Sequence, residues 1–240
     1  LIGSQVVKNV LSVGAKVIIL DVVKKPIQTN VQFEKFDCSN TEIIEKNFNK
    51  IINKLGCPDI FINCSYPRTK DWSQSSFNKV TLKRMSKNIE IHMNSHAWLS
   101  KLVADKMVRN KIKGSIINMT SIYGLLGQDL NIYEKTSMKE NMTYSIIKGG
   151  LINLTRQMAS YYGKFGIRIN SVCSGGLKGP AAGYSNVQEK KFIKNYEKKV
   201  PLKRMGTPEE IANVITFIAS DASSYITGSN VVVDGGWTII

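Results

Sequence analysis

Gly114-Ser-Ile-Ile-Asn-Met-Thr120, the helical stretch Thr143–Tyr162 and the run Ile167-Arg-Ile-Asn-Ser-Val-Cys173 together decide the fold. The two outer runs have strand length and are nearly continuous in small and apolar side chains, as strands covered on both faces are. A long helix between two such runs is a crossover, and a crossover joins parallel neighbours. Upstream, the pattern repeats. Asp59-Ile-Phe-Ile-Asn63 reads as a strand and the stretch Leu82–Arg109 as one long helix. Before them come Lys16-Val-Ile-Ile-Leu20 ending at Asp21, the short strand Val31–Phe36 ending at Asp37, and the helical Thr41–Leu55. Downstream, Pro208–Ala219 opens with a proline and two glutamates, which suit a helix N-terminus, and Asn230–Asp234 makes a last strand. Regular alternation of this kind predicts an α/β fold, a doubly wound parallel sheet in one domain spanning 1–240. The helix-like Gln5–Val13 has no strand before it, so the chain is expected to open inside a unit, with its first strand missing.

Composition narrows the function. Among 240 residues, 42% are hydrophobic and 8% aromatic, enough for a packed core. No apolar run approaches the roughly 20 residues that span a bilayer, and the opening Leu1-Ile2-Gly3-Ser4 lacks the marks of a signal peptide. A cytoplasmic protein with no membrane contact is expected. The cysteines at 38, 57, 64 and 173 have no C-x-x-C spacing, so neither a metal site nor a disulfide framework is expected. Lysine and arginine number 33 against 18 acidic residues, a net charge of +15. Yet the lysines are scattered and carry no interleaved aromatics that would stack bases, so no nucleic-acid partner is expected. The field better suits an anionic small-molecule substrate or a cofactor phosphate.

Tyr144-Ser-Ile-Ile-Lys148 places a phenol and an ammonium on one helical face. Bringing a phenol from pKa 10 to neutrality takes about three units, or about 4 kcal/mol. A unit charge at about 4 Å supplies on the order of 4 kcal/mol at an effective dielectric of 20. A single lysine is therefore of the right size to make Tyr144 a general acid and base. The spacing alone is weak, since Tyr66 and Lys70 share it around Pro67 in a polar loop. Ser121 strengthens it, because it closes a parallel strand at the C-terminal edge where ligand groups gather.

Taken together, Thr120-Ser121-Ile-Tyr-Gly124, Tyr144-Ser-Ile-Ile-Lys148, Ile167-Arg-Ile-Asn170, Pro201-Leu-Lys-Arg-Met-Gly-Thr-Pro-Glu-Glu-Ile-Ala212 and Tyr225-Ile-Thr-Gly228 with Val233-Asp-Gly-Gly236 resemble the short-chain dehydrogenase/reductase family over nearly the whole chain. The resemblance implies a Rossmann-type sheet and an NAD(P)-dependent oxidoreductase. In it Tyr144 exchanges the proton of a carbonyl or alcohol oxygen, Ser121 orients that oxygen, and Lys148 lowers the tyrosine pKa and holds the nicotinamide ribose. Gly3 matches the last glycine of the family's Gly-rich turn. Asp21 stands where a carboxylate accepts from the adenosine ribose hydroxyls, which favours NAD over NADP, with Lys24 and Lys25 arguing the other way. Asp37 and Cys38 match positions flanking the adenine, and Asn63-Cys-Ser65 replaces the usual Asn-Asn-Ala-Gly beside the cofactor. A homodimer or homotetramer through the long central helices and C-terminal segment is also implied.

Departures from the family pattern are equally specific. Ser121 and Tyr144 lie 23 positions apart, longer than is usual, so roughly Gln128–Met142 is an insertion that is expected to face substrate. His92, with Asn88 as the poorer fit, falls where the family has a relay asparagine. Ser174 replaces a proline and is expected to loosen the turn beside the nicotinamide. Asn63-Cys-Ser-Tyr-Pro-Arg68, Ile132-Tyr-Glu134 and Met138 resemble a branch that modifies flagellin and surface sugars. That likeness nominates Tyr66, Arg68 and Glu134 as binders of a polar sugar derivative. The competing reading is a catalytically idle nucleotide-binding or interaction module.

Overall fold

A computed structural model describes residues 1–24, 31–180 and 188–240. Its centre is the pair predicted from sequence. β4 (Ser115–Ser121) is buried at all seven positions and β5 (Arg168–Ser174) nearly so, which is why both lack the polar alternation of a half-exposed strand. They run parallel in the register Ser115↔Arg168 to Ser121↔Ser174. β3 (Ile60–Asn63) joins β4 on one side, and β6 (Asn230–Val233) joins β5 on the other, both parallel. β1 (Ile18–Asp21) and β2 (Gln32–Lys35) form a second parallel ladder. Among the described residues no ladder joins β1 to β3.

Helices cover both faces, and the period of two along β4 sorts its side chains between them. Ile116 enters one layer with Leu99, Val103 and Met107 of α4 (Ser95–Arg109) and Met158 and Tyr162 of α5 (Met142–Tyr162). Phe48 of α2 (Ile44–Leu55) completes that layer. Ile117 and Met119 enter the other, with Val6 of α1 (Ile2–Ser12) and Ile211, Ile215 and Ile218 of α7 (Pro208–Ala219). Each fully buried isoleucine contributes about 1.5–3 kcal/mol by leaving water. The architecture is the expected doubly wound α/β sheet.

The long helix read over Leu82–Arg109 is not continuous. α3 (Leu82–Asn88) and α4 are separated by a π turn, Ile89–Asn94, which holds one residue more per turn and so re-aims the side chains it carries. A further helix, α6 (Lys190–Lys199), buries Phe192 and Tyr196 against the insertion, where Ile132, Tyr133 and Met138 meet it. The tail turn holds Trp237 in the same cluster. Gly235 and Gly236 have φ of 68° and 91°, and a Cβ on Gly236 would lie 2.7 Å from Pro201 Cγ. Both carboxylate oxygens of Asp234 accept backbone N–H groups, from Gly236 and Thr238, at 2.8 Å. Trp237 then stacks on Tyr196 with ring centres 4.3 Å apart. Nor is Ser174 at a loosened turn. It pairs with Ser121 and Val233 in the ladder, and Gly175 N donates to Val233 O at 2.9 Å, so the serine N–H lets the strand run on where a proline would end it.

Candidate active site

Parallel strands bring their C-terminal ends to one edge, and β4 ends there at Ser121. Its Oγ accepts from Tyr123 N at 3.2 Å and starts a tight turn over Ile122–Gly124. That turn rests directly on α5: a Cβ on Gly124 would meet the carbonyl carbon of Lys148 at 2.6 Å. The absence of a side chain at 124 thus sets how closely the serine turn and the tyrosine helix approach. We expect Gly124→Ala to cost about 1–3 kcal/mol by overpacking. It should also lower turnover, whereas Gly127→Ala, with nothing within 4 Å of the added carbon, changes neither. Thermal melts and initial rates on the two variants check this.

Asn141 caps α5, its Oδ1 accepting from Tyr144 N at 2.9 Å. The inserted loop braces that cap. Gln128 donates to Asn141 O at 2.8 Å and to Ser145 Oγ at 3.0 Å, and accepts from Asn141 N at 3.1 Å and Tyr133 Oη at 2.9 Å. Tyr133 is therefore the residue the insertion turns inward, while Glu134 is exposed and gives its backbone oxygen to Asn195 of α6.

The Tyr144 ring sits edge-to-face with Tyr66 and Trp72, at 6.1 and 6.2 Å between centres, and Tyr66 and Trp72 contact each other at 6.1 Å. Burial pushes its phenol above the ordinary tyrosine value, and the hydrogen bond with Ser121 pulls it back. Lys148, 3% exposed, does not point its ammonium at the hydroxyl as the simple charge argument expects. Nζ donates to Met119 O at 3.1 Å, lies 3.4 Å from His92 Nε2, and stands 5.5 Å from the centre of the Tyr144 ring. Burial brings Lys148 itself down to about 8. Burial dominates at the phenol, and the ammonium's hydrogen-bond partners are a carbonyl and an imidazole.

The π turn settles which residue faces the lysine. Asn88 is consumed in the fold, its Nδ2 donating to Thr69 Oγ1 and Arg84 O and its Oδ1 accepting from Thr69 N. His92 is fully buried beside Lys148 and edge-on to Tyr66 at 5.0 Å. Arg68 lies over the Tyr66 ring at 5.5 Å. Sequence reasoning does not reach Trp72 or His96, which also belong here; the i,i+4 spacing of His96 from His92 was the available signal.

The remaining nominated residues lie at or just after the ends of β1, β2 and β3 and in the first turn of α1. Asn63 ends β3, 4% exposed; its Oδ1 accepts from Ser65 N and Oγ, and its Nδ2 is buried with no partner. Gly3, in the first turn of α1, faces Cys64, and a Cβ there would have ordinary contact at 3.5 Å. Cys38 is half-buried, its thiol raised chiefly by burial and lowered by hydrogen bonds with Ser65 and Ser95. Asp21 and Asp37, exposed at the ends of β1 and β2, accept from Val23 N at 3.1 Å and Ser39 N at 2.9 Å. Lys24 is exposed, and Lys25 lies outside the described residues. Among the described residues no group of three His, Cys, Asp or Glu could hold a metal, and no helix is long and apolar enough to cross a membrane.

A family model described as enoyl-(acyl carrier protein) reductase matches residues 2–238. The chain belongs to the short-chain dehydrogenase/reductase family. Relatives within this family include the post-translational flagellin modification protein A of Campylobacter coli, 29% identical over 203 residues, 85% of this chain and 76% of that protein. The 7alpha-hydroxysteroid dehydrogenase of Paraclostridium sordellii is 35% identical over 208 residues, 85% of this chain and 72% of that one. Among solved structures, a short-chain dehydrogenase of Leptospira borgpetersenii with bound NAD+ superposes with a TM-score of 0.85 at 32% identity, covering 99% of this chain and 88% of that one.

Proposed function

We propose that residues 1–240 act as one dinucleotide-binding and catalytic unit, an NAD(H)-dependent oxidoreductase acting on a carbonyl or alcohol. The observation that carries this reading is the convergence of Ser121, Tyr144 and Lys148 at the C-terminal edge of β4, three side chains brought together by two separate elements. Nicotinamide, when bound, supplies or accepts the hydride. The chain's own part is proton handling and position. Tyr144 Oη gives a proton to the reacting oxygen or takes it, and the Ser121 hydroxyl orients that oxygen. The buried Asn63 Nδ2, a donor with nothing to bond, fits a polar cofactor at the end of β3, as do the Lys148 ammonium and the Asp21 carboxylate at the sugar positions. Gly3, Asp37 and Cys38 complete the cofactor edge.

Asp21 favours NAD over NADP, since a carboxylate accepts from ribose hydroxyls and repels a 2′-phosphate. In fluorescence titrations the protein should bind NADH at least tenfold more tightly than NADPH. Asp21→Ser should cut that preference roughly tenfold, the equivalent of about 1.4 kcal/mol. An unchanged ratio would remove Asp21 from this role.

For substrate we favour a polar sugar or amino-sugar derivative of the kind used in surface-glycan or flagellin modification. Its support is the half-buried Tyr66 and Arg68 beside Tyr144, and the flagellin modification protein among the relatives. Glu134, exposed on the inserted loop, reaches the substrate from that loop in this reading. A second copy docks on α4 and α5, where Trp98 and Tyr161 are 41% and 59% exposed, and the cytoplasm is the place of work. The test is NADH oxidation by the full chain across a panel of keto-sugars and simple ketones. Consumption confined to sugars supports the substrate class. Consumption by the simple ketones alone replaces it, and binding of NADH without consumption by anything supports the idle module instead.

A further inference from the structure

Gln128 opens the insertion, and its side-chain amide pairs with Asn141 as a neighbouring strand would. Asn141 is the cap residue of α5, so its N–H has no partner within the helix. Gln128 Oε1 accepts from Asn141 N at 3.1 Å and Nε2 donates to Asn141 O at 2.8 Å, so one side chain holds both backbone groups of one residue. The same amide donates to Ser145 Oγ at 3.0 Å and accepts from Tyr133 Oη at 2.9 Å. Asn141 and Ser145 lie on either side of Tyr144 in the chain, and Tyr144 N donates to Asn141 Oδ1 at 2.9 Å. Few side chains could do this. A glutamate cannot donate to Asn141 O, a lysine cannot accept from Asn141 N, and an asparagine is one methylene short.

The other side of the insertion is tied to α6. Lys199 Nζ pairs with Asp129 at 2.8 Å, and Asn195 Nδ2 donates to the carbonyls of Ile132 and Glu134 at 3.3 and 3.0 Å. Ser137 N donates to Glu189, the cap residue of α6, at 3.0 Å. Beneath these bonds Ile132, 1% exposed, is packed in one cluster with Tyr196 and Trp237. A loop with a buried anchor and polar bonds to two helices is held at both ends. We propose that the insertion is a strut from α6 to the start of α5, and that Gln128, at its joint, is a positioning residue for Tyr144. This rests on the reading of Tyr144 as the group that exchanges the proton. Gln128 takes no part in the proton transfer itself. Tyr144 lies in the first turn of α5, and helix ends are where local opening begins. The amide of Gln128 closes that end, and a displacement of about 1 Å at a reacting group costs on the order of 10²-fold in rate.

Gln128→Met tests this, since methionine keeps the length of the side chain and loses all four hydrogen bonds. One readout needs neither substrate nor NADH. The chain has nine tyrosines, and NMR of the full chain labelled with ¹³C at tyrosine Cζ identifies the Tyr144 line as the one missing from Tyr144→Phe. In Gln128→Met that line should shift by more than its width or split. The second readout is kinetic: kcat should fall by about 10–10²-fold while the KM values for NADH and the carbonyl substrate stay within about twofold. A Tyr144 line that does not move, an unchanged kcat, or a loss confined to KM would overturn the proposal. Should Gln128→Met not fold, Tyr133→Phe removes only the bond to Gln128 Oε1. It should move the Tyr144 line the same way and lower kcat less, and an unmoved line there would overturn the proposal equally. If the unaltered protein turns over no carbonyl, the oxidoreductase reading fails and the Tyr144 line alone decides whether Gln128 positions the ring.

Discussion

Tyr144→Phe is expected to lower turnover by about 10²–10⁴-fold, the usual worth of a positioned acid–base group, while NADH binds within about twofold of the unaltered protein. The substitution isolates chemistry from architecture. Tyr144 is held by edge-to-face packing against Tyr66 and Trp72 at 6.1 and 6.2 Å and by a capped helix start, none of which involves its hydroxyl. Phenylalanine keeps that packing and deletes only the hydroxyl. Burial holds the phenol above its ordinary pKa, so at pH 7 it is protonated and ready to donate to a carbonyl. Reduction should therefore be nearly independent of pH below about 8, the value at which Lys148 titrates, and oxidation should quicken as pH rises. Initial rates in both directions, measured by NADH absorbance on the two proteins, check both statements. A variant retaining more than a tenth of the activity would remove Tyr144 from the proton path.

Lys148→Met is expected to abolish turnover and yet to stabilise the ligand-free protein. Burial lowers the lysine from 10.5 to about 8. Between those values the unfolded chain holds a proton there that the folded chain has released, so unfolding binds protons and stability rises with pH. The gap is about 2.5 units, or about 3 kcal/mol, carried as a cost at pH 7 and relieved by about pH 10.5. Methionine matches the stem and carries no charge. The variant gives up the contacts with Met119 O and His92 Nε2, which takes back part of the gain. The difference between the two proteins across pH isolates the charge. Urea unfolding at pH 7 and pH 10, without NADH, should show stability rising by about 2 kcal/mol more in the unaltered protein than in the variant. Parallel curves would mean that the ammonium is better solvated than its 3% exposure implies.

Much of the fold is legible because the buried strands β4 and β5 and the helix between them are long and strongly patterned. What escaped has identifiable causes. The π turn at Ile89–Asn94 carries no local signal, since Ile-Glu-Ile-His-Met-Asn suits an α-helix, and its Ile89 and Met93 pack with Ile147 and Leu151 of α5. Lysines at five of its ten positions mask α6, although Phe192, Tyr196 and Val200 recur at helical spacing. At the site, helical spacing correctly places Tyr144 and Lys148 on one face but says nothing of where the ammonium turns. Its partners, Met119 O and His92, come from other elements, and at the phenol burial is the largest influence. Ser174 misleads for a similar reason: replacing a proline restores a backbone donor, which extends the ladder.

The most direct test of the central claim is deuterium transfer from NADH deuterated at the nicotinamide C4 to a carbonyl substrate, followed by mass spectrometry for the unaltered protein and for Tyr144→Phe. The account predicts deuterated alcohol from the unaltered protein and almost none from the variant over the same interval, with NADH bound by both. Equal deuterium in both products, or none from the unaltered protein while it holds NADH, would contradict it.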